Sequence, residues 1–177
     1  MNLKLNAFDI ILYFEHVINE YIEHAKNELN SLNEQDPNYD KYELLSRSKI
    51  YIDPDEDINL TIPQEHTEPS IIQPAIIIEI DSKNITTNSV TGKPIYGEHS
   101  YTISVVVPKE GRKFIQYKRE SITLAEIIEN IFGEQTDKRI NIGNTTYSDF
   151  MFGSIEASGA VIPVNTNINN FDYSINS

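Results

Sequence analysis

The chain has 177 residues, enough for one sizeable core, and its 27 acidic residues against 14 basic ones leave a formal net charge of −13. That charge opposes the counterion release on which tight nucleic-acid binding depends, and the lack of any cysteine excludes disulfide staples and thiolate metal sites. No apolar run reaches the ~20 residues that span a bilayer and no secretion-type leader is visible, so a soluble, unexported chain is expected.

Ala7, Ile11, Phe14, Ile18, Tyr21, Ala25 and Leu32 recur at spacings of three, four and seven. This predicts an amphipathic helix over 7–32, about 39 Å long. Its first half is apolar beyond that stripe, because Phe8, Ile10, Leu12, Tyr13 and Val17 lie off the line. A helix apolar on several sides is covered on several sides. One cover is the sheet of its own domain, and the second is either residues 33–70 folding back or another subunit.

Residues 34–70 are polar and broken by Pro37, Pro54, Pro63 and Pro69, which predicts an extended arm or loop with brief strands at 50–52 and 58–62. Ile76, Ile77, Ile78 and Ile80 then form a β-branched run, the mark of a central strand covered on both faces. A turn-rich excursion over 82–98 follows, with a reversal at Thr91, Gly92, Lys93 and Pro94. A strand is expected over 95–107, with Tyr101, Ile103, Val105 and Val107 on one face. Pro108 and Gly111 end it, and 114–118 is expected to return as its hairpin partner.

Thr123 and Glu126 have capping-box spacing before Leu124, Ile127, Ile128 and Ile131, with Gly133 as the stop, so a short second helix is expected there. Two last strands are expected over 147–156 and 160–164, turning at Ser158 and Gly159. The expected fold class is α+β: a mainly antiparallel sheet with the long N-terminal helix and the short second helix packed on it. Residues 1–165 form a single domain on this reading, and 166–177 a flexible C-terminal tail.

A search for chemistry finds no complete site. His16, Glu20 and His24 share a helix face, yet helical metal sites draw ligands from other long helices as well. Asp53, Asp55 and Asp57 open like a calcium loop, but Ile58 and Gln64 stand where Gly and Glu are required. Pro94 follows Gly92 and Lys93 where a phosphate loop needs Ser or Thr. Nothing local prepares Ser154 or Ser158 as a nucleophile. The expectation is a non-enzyme with no cofactor and no bound metal. Lys109, Arg112, Lys113, Lys118 and Arg119 form a basic island in this acidic chain, either a solvated edge or a contact for an acidic patch on a neighbouring subunit.

Taken in order, the N-terminal helix, the Pro74-led strand to Asp81, the hairpin over 95–118, the helix over 124–132 and the closing strands resemble bacteriophage tail-terminator and neck-completion proteins. The resemblance implies an α+β structural protein of the virion neck, made in the host cytoplasm. Such proteins form a homo-oligomeric, commonly hexameric ring that ends the tail tube and docks to the head connector in head-tail joining. DNA would pass through its lumen without tight binding, and no membrane is involved. Phe8, Leu12, Tyr13, Arg112, Lys113, Lys118 and Arg119 are the expected subunit-interface residues. The alternatives are an acidic DNA mimic that inhibits a nucleic-acid-binding enzyme, and another type of phage head-tail adaptor.

Overall fold

The computed structural model describes residues 7–52, 73–87, 94–109, 111–134, 140–152 and 155–167. Within them the chain order is α1 (Ala7–Leu29), α2 (Tyr39–Ser46), β1 (Lys49–Ile52), β2 (Ala75–Thr87), β3 (Pro94–Pro108), α3 (Phe114–Glu134), β4 (Ile140–Ile142), β5 (Thr146–Phe152) and β6 (Ile155–Asn167). The strands form one sheet in the order β1-β2-β3-β6-β4, with β5 also paired to β6. β1 runs parallel to β2 and the other pairings are antiparallel. The α+β class and the long first helix are therefore as the sequence predicts.

Side-chain alternation assigns the two faces. Register pairs Ile50 with Ile76, Ile76 with Val105, and Val105 with Ala160, so these residues share one face. Ile52, Ile78, Ile103 and Ile162 form the next row of it. All three described helices contribute to the core on this face, through Ile10, Phe14 and Ile18 of α1, Leu44 and Leu45 of α2, and Leu124, Ile128 and Phe132 of α3. Each buried large aliphatic contributes about 1.5–3 kcal/mol. Phe14 is wedged between elements. Its ring meets Tyr101 of β3 edge-on at 5.3 Å and Phe132 of α3 at 5.2 Å.

On the opposite face Ala75, Ile77, Val106 and Ala157 are buried in a smaller cluster, with Tyr51 and Phe150 packed against it. This is why Ile76 to Ile78 reads as an unbroken apolar run: both sides of an interior strand are dry.

Several expectations are corrected. Residues 114–118 do not pair with β3; they are the first turn of α3, and β3 instead forms its hairpin with β2. The second helix is not short, and Thr123 and Glu126 lie inside it rather than at its cap. The stretch 34–70 is not simply an arm, since it contains α2 and β1, while the strand expected at 58–62 lies outside the described residues. Part of the 82–98 excursion is strand, because β2 continues to Thr87 and β3 begins at Pro94. Ser158 and Gly159 are paired within β6, opposite Val107 and Val106, and do not turn. The tail over 168–177 lies outside the described residues, whereas Thr166 and Asn167 are still strand.

At the junction of β3 and α3, Gly111 has φ of 71°, in the left-handed region where a Cβ is penalised. The Arg112 N–H donates to Lys109 O at 3.1 Å, and this tight reversal sets α3 back across the sheet. Ser121 of α3 contacts Ser158 of β6 at 3.3 Å between hydroxyls.

Candidate functional site

α2 and the first half of α3 lie side by side, and the groove between them has a volume of about 610 Å³. α2 is a short helix that buries only Leu44 and Leu45. The rest of its surface is polar, so its outer side stays open as a groove wall. Leu44, Thr123 and Ile115 contribute to the lining, with Lys41, Lys113 and Arg119 around them.

One wall is an ionic cluster. Glu120 of α3 receives Arg47 Nη2 at 3.2 Å on Oε1 and Arg112 Nε at 3.2 Å on Oε2. Arg47 also reaches Glu43 Oε1 at 3.3 Å, and Arg112 donates from Nη1 to Pro108 O at 3.0 Å. The Arg112 side chain is 7% exposed and that of Glu120 14%. Two arginines and two glutamates balance, so this cluster clamps α2, α3 and the loop before α3 together without leaving net charge. The fit is incomplete, because Arg47 Nε is buried without a hydrogen-bond partner among the described residues. The Arg112 approach to Glu120 Oε2 is likewise an ion pair without hydrogen-bond alignment.

The remaining basic residues divide between two places. Lys118 Nζ contacts Asp149 Oδ1 at 2.6 Å and Lys109 Nζ contacts Asp149 Oδ2 at 3.1 Å, tying α3 and the end of β3 to β5. Hydrogen bonds from Lys118 and Lys109 hold the Asp149 carboxyl below its ordinary pKa, and the bond to Asp149 holds Lys109 above its own. Arg119 makes a loose, exposed pair with Asp40 of α2 at 3.5 Å. Lys113 stands exposed at the groove with no ion pair among the described residues, as does Lys41. Ile115, also at the groove, is 78% exposed, and Phe114, whose ring meets Tyr117 edge-on at 5.4 Å, is 66% exposed.

The expected interface residues thus do not form one site. Lys113 and Arg119 come together at the groove, Arg112 is built into its wall, and Lys118 faces β5. On α1, Leu12 is 42% exposed, Tyr13 is half-buried against the core, and the Phe8 side chain lies outside the described residues. Of the surplus apolar residues of α1, Ile10 and Val17 are buried and Tyr13 half-buried by the chain itself, and α2 packs against the helix. The groove and the exposed Phe114 and Ile115 escaped sequence reasoning because residues 114–118 read as strand. A helical reading would have left those two off the stripe of Tyr117, Ser121, Leu124 and Ile128.

The other candidates resolve locally. His16 pairs with Glu20 at 3.3 Å in solvent, and His24 packs edge-on against Tyr42 at 6.1 Å. Among the described residues no three His, Asp or Glu side chains gather as a metal site, and Asp53, Asp55 and Asp57 lie outside them. No described helix is long and apolar enough to cross a membrane. His99, Tyr101 and Thr166 form a buried polar group under the helices, where burial pushes the Tyr101 phenol pKa up. Comparison of the sequence with protein-family models and with curated proteins finds no match.

Proposed function

We propose that this chain is a structural component of a bacteriophage neck, assembling as a ring that ends the tail tube and meets the head connector. The observation that carries the reading is the start of α3: Ile115, 78% exposed, lines the groove with the cations Lys41, Lys113 and Arg119, and its neighbour Phe114 is 66% exposed, on a chain of net charge −13. Clustered apolar surface with a charged rim is what protein contacts use. Charge opposite to that of the remaining surface gives a copy of the same chain something to recognise. The acidic balance also suits a channel through which DNA slides without adhering.

Negative-stain images of the purified chain, alone and with tail tubes, test the reading. Rings, or caps at one end of each tube, are expected. A species that stays monomeric and leaves tubes uncapped refutes it. A salt-sensitive complex with a basic nucleic-acid-binding enzyme would favour inhibition by mimicry of DNA instead.

A further inference from the structure

The geometry points to a head-to-tail contact between two copies of this chain, in which the α2–α3 groove of one receives the outer stripe of α1 of the next. The inference rests on the self-assembly in the proposed function and names the two surfaces that would carry it. The first surface has been described: Ile115 is exposed at the groove, and Lys113 and Lys41 have no ion pair among the described residues to neutralise them.

The second surface is on the same chain and has the opposite character. Leu12, His16, Glu20 and Glu23 follow one another at helical spacing along the solvent side of α1. Leu12 is a large apolar residue left 42% exposed. Glu20 and Glu23 are about two-thirds exposed, and their contacts are the solvated His16 and Lys26. With half-buried Glu15 beside them, this stripe is net acidic at neutral pH. Leu12 does not line the groove, so the two patches are different surfaces of one molecule.

Beyond its paired charges the groove carries Lys41 and Lys113 beside the exposed Ile115, whereas the α1 stripe carries Glu15, Glu20 and Glu23 against Lys26 beside the exposed Leu12. Neither complements itself, so a two-fold dimer using one patch twice would set like charges together. Joining unlike patches makes a heterologous contact, and repeating it gives a ring or an open filament. Solvated rim pairs of this kind act on recognition and on salt dependence, while the apolar side chains supply burial.

The test uses two charge-reversed forms of the full chain, Lys113→Glu with Arg119→Glu, and Glu20→Lys with Glu23→Lys. All four sites are exposed, and circular dichroism checks that both forms are folded. By sedimentation velocity at high micromolar concentration the wild-type chain should associate, and each form alone should do so at least about tenfold more weakly. Mixed in equal amounts, the first form keeps an intact α1 stripe and the second an intact groove, so the mixture should form a one-to-one pair that grows no further. A monomeric wild-type chain, variants that associate as wild type does, or a mixture that stays monomeric would each overturn the inference. Rings that persist in both variants would overturn the contact and leave the proposed function standing. A growth-limited pair in the mixture, from a wild type that builds filaments but no rings, would do the reverse.

Discussion

Replacing Gly159 with alanine separates intrinsic backbone preference from packing, because the two predict opposite signs. In a strand interior, Gly→Ala is stabilising by about 0.5–1 kcal/mol through the smaller entropy lost on folding. Here a Cβ on Gly159 would lie 1.9 Å from the Val105 carbonyl oxygen and 3.0 Å from a ring carbon of Phe150. The first gap falls short of ordinary contact by about 1.5 Å, and the obstacle is backbone of the neighbouring strand rather than a flexible side-chain end. β3 and β6 must separate at the rung where Val106 faces Gly159 and Val105 faces Ala160. Overpacking of this kind costs about 1–3 kcal/mol, occasionally more. Since the obstacle is backbone, a net loss of about 2–3 kcal/mol is expected, or about 4–12 °C in Tm for a chain of this size. Urea unfolding followed by far-ultraviolet circular dichroism measures it, with the midpoint falling and the slope unchanged. A variant with an equal or higher midpoint would show that the two strands are not in the close approach described.

Glu120→Gln keeps the shape of the side chain but leaves Arg47 and Arg112 facing an uncharged amide. Breaking one side of a largely buried pair is expected to cost about 3 kcal/mol in the same unfolding assay, and a loss below about 1 kcal/mol would mean that the cluster is solvated. Phe14→Ala removes the ring shared by Tyr101 and Phe132 and should cost about 3–5 kcal/mol by thermal unfolding, whereas a loss no larger than that of an exposed substitution would contradict the packing. The Asp149 carboxyl, titrated by NMR, should have its midpoint below the ordinary aspartate range, with Lys118→Met moving it back up. Because the folded-state value is the lower one, the stabilisation is fully present above the ordinary aspartate pKa and is lost as pH falls through the depressed value. The Lys109 contribution has the opposite sense, present below the ordinary lysine pKa and lost as pH rises through the elevated one.

What the chain order disclosed was what periodicity can encode. α1 and the Ile76–Ile80 strand are long and strongly patterned, and both are where the apolar spacing puts them. The front of α3 reads as strand because Phe114, Ile115 and Tyr117 are strand-prone residues following a Pro and a Gly. No Ser, Thr, Asp or Asn stands at Lys113 to mark a helix start, and a false capping pair sits ten residues further on. α2 was invisible for a different reason: it is eight residues long and buries two of them, too little apolar surface for a period to register. Gly159 reads as a turn in the sequence because glycine punctuates turns more often than it marks close approach between strands. The candidate groove is therefore out of reach of sequence, since one of its walls has the pattern of a loop and the front of the other that of a strand.

β6 hydrogen-bonds to β3, β4 and β5, which makes it the strand on which most of the sheet converges. It is also the last described element in chain order. During vectorial synthesis on the ribosome, the long edge of β3 must wait unpaired until the residues through β6 have emerged, and every one of these ladders then closes within a short interval. Such late, non-local closure slows maturation and leaves a sticky intermediate. The yield of this protein in a cell should accordingly respond to chaperone supply and growth temperature more steeply than its equilibrium stability would imply.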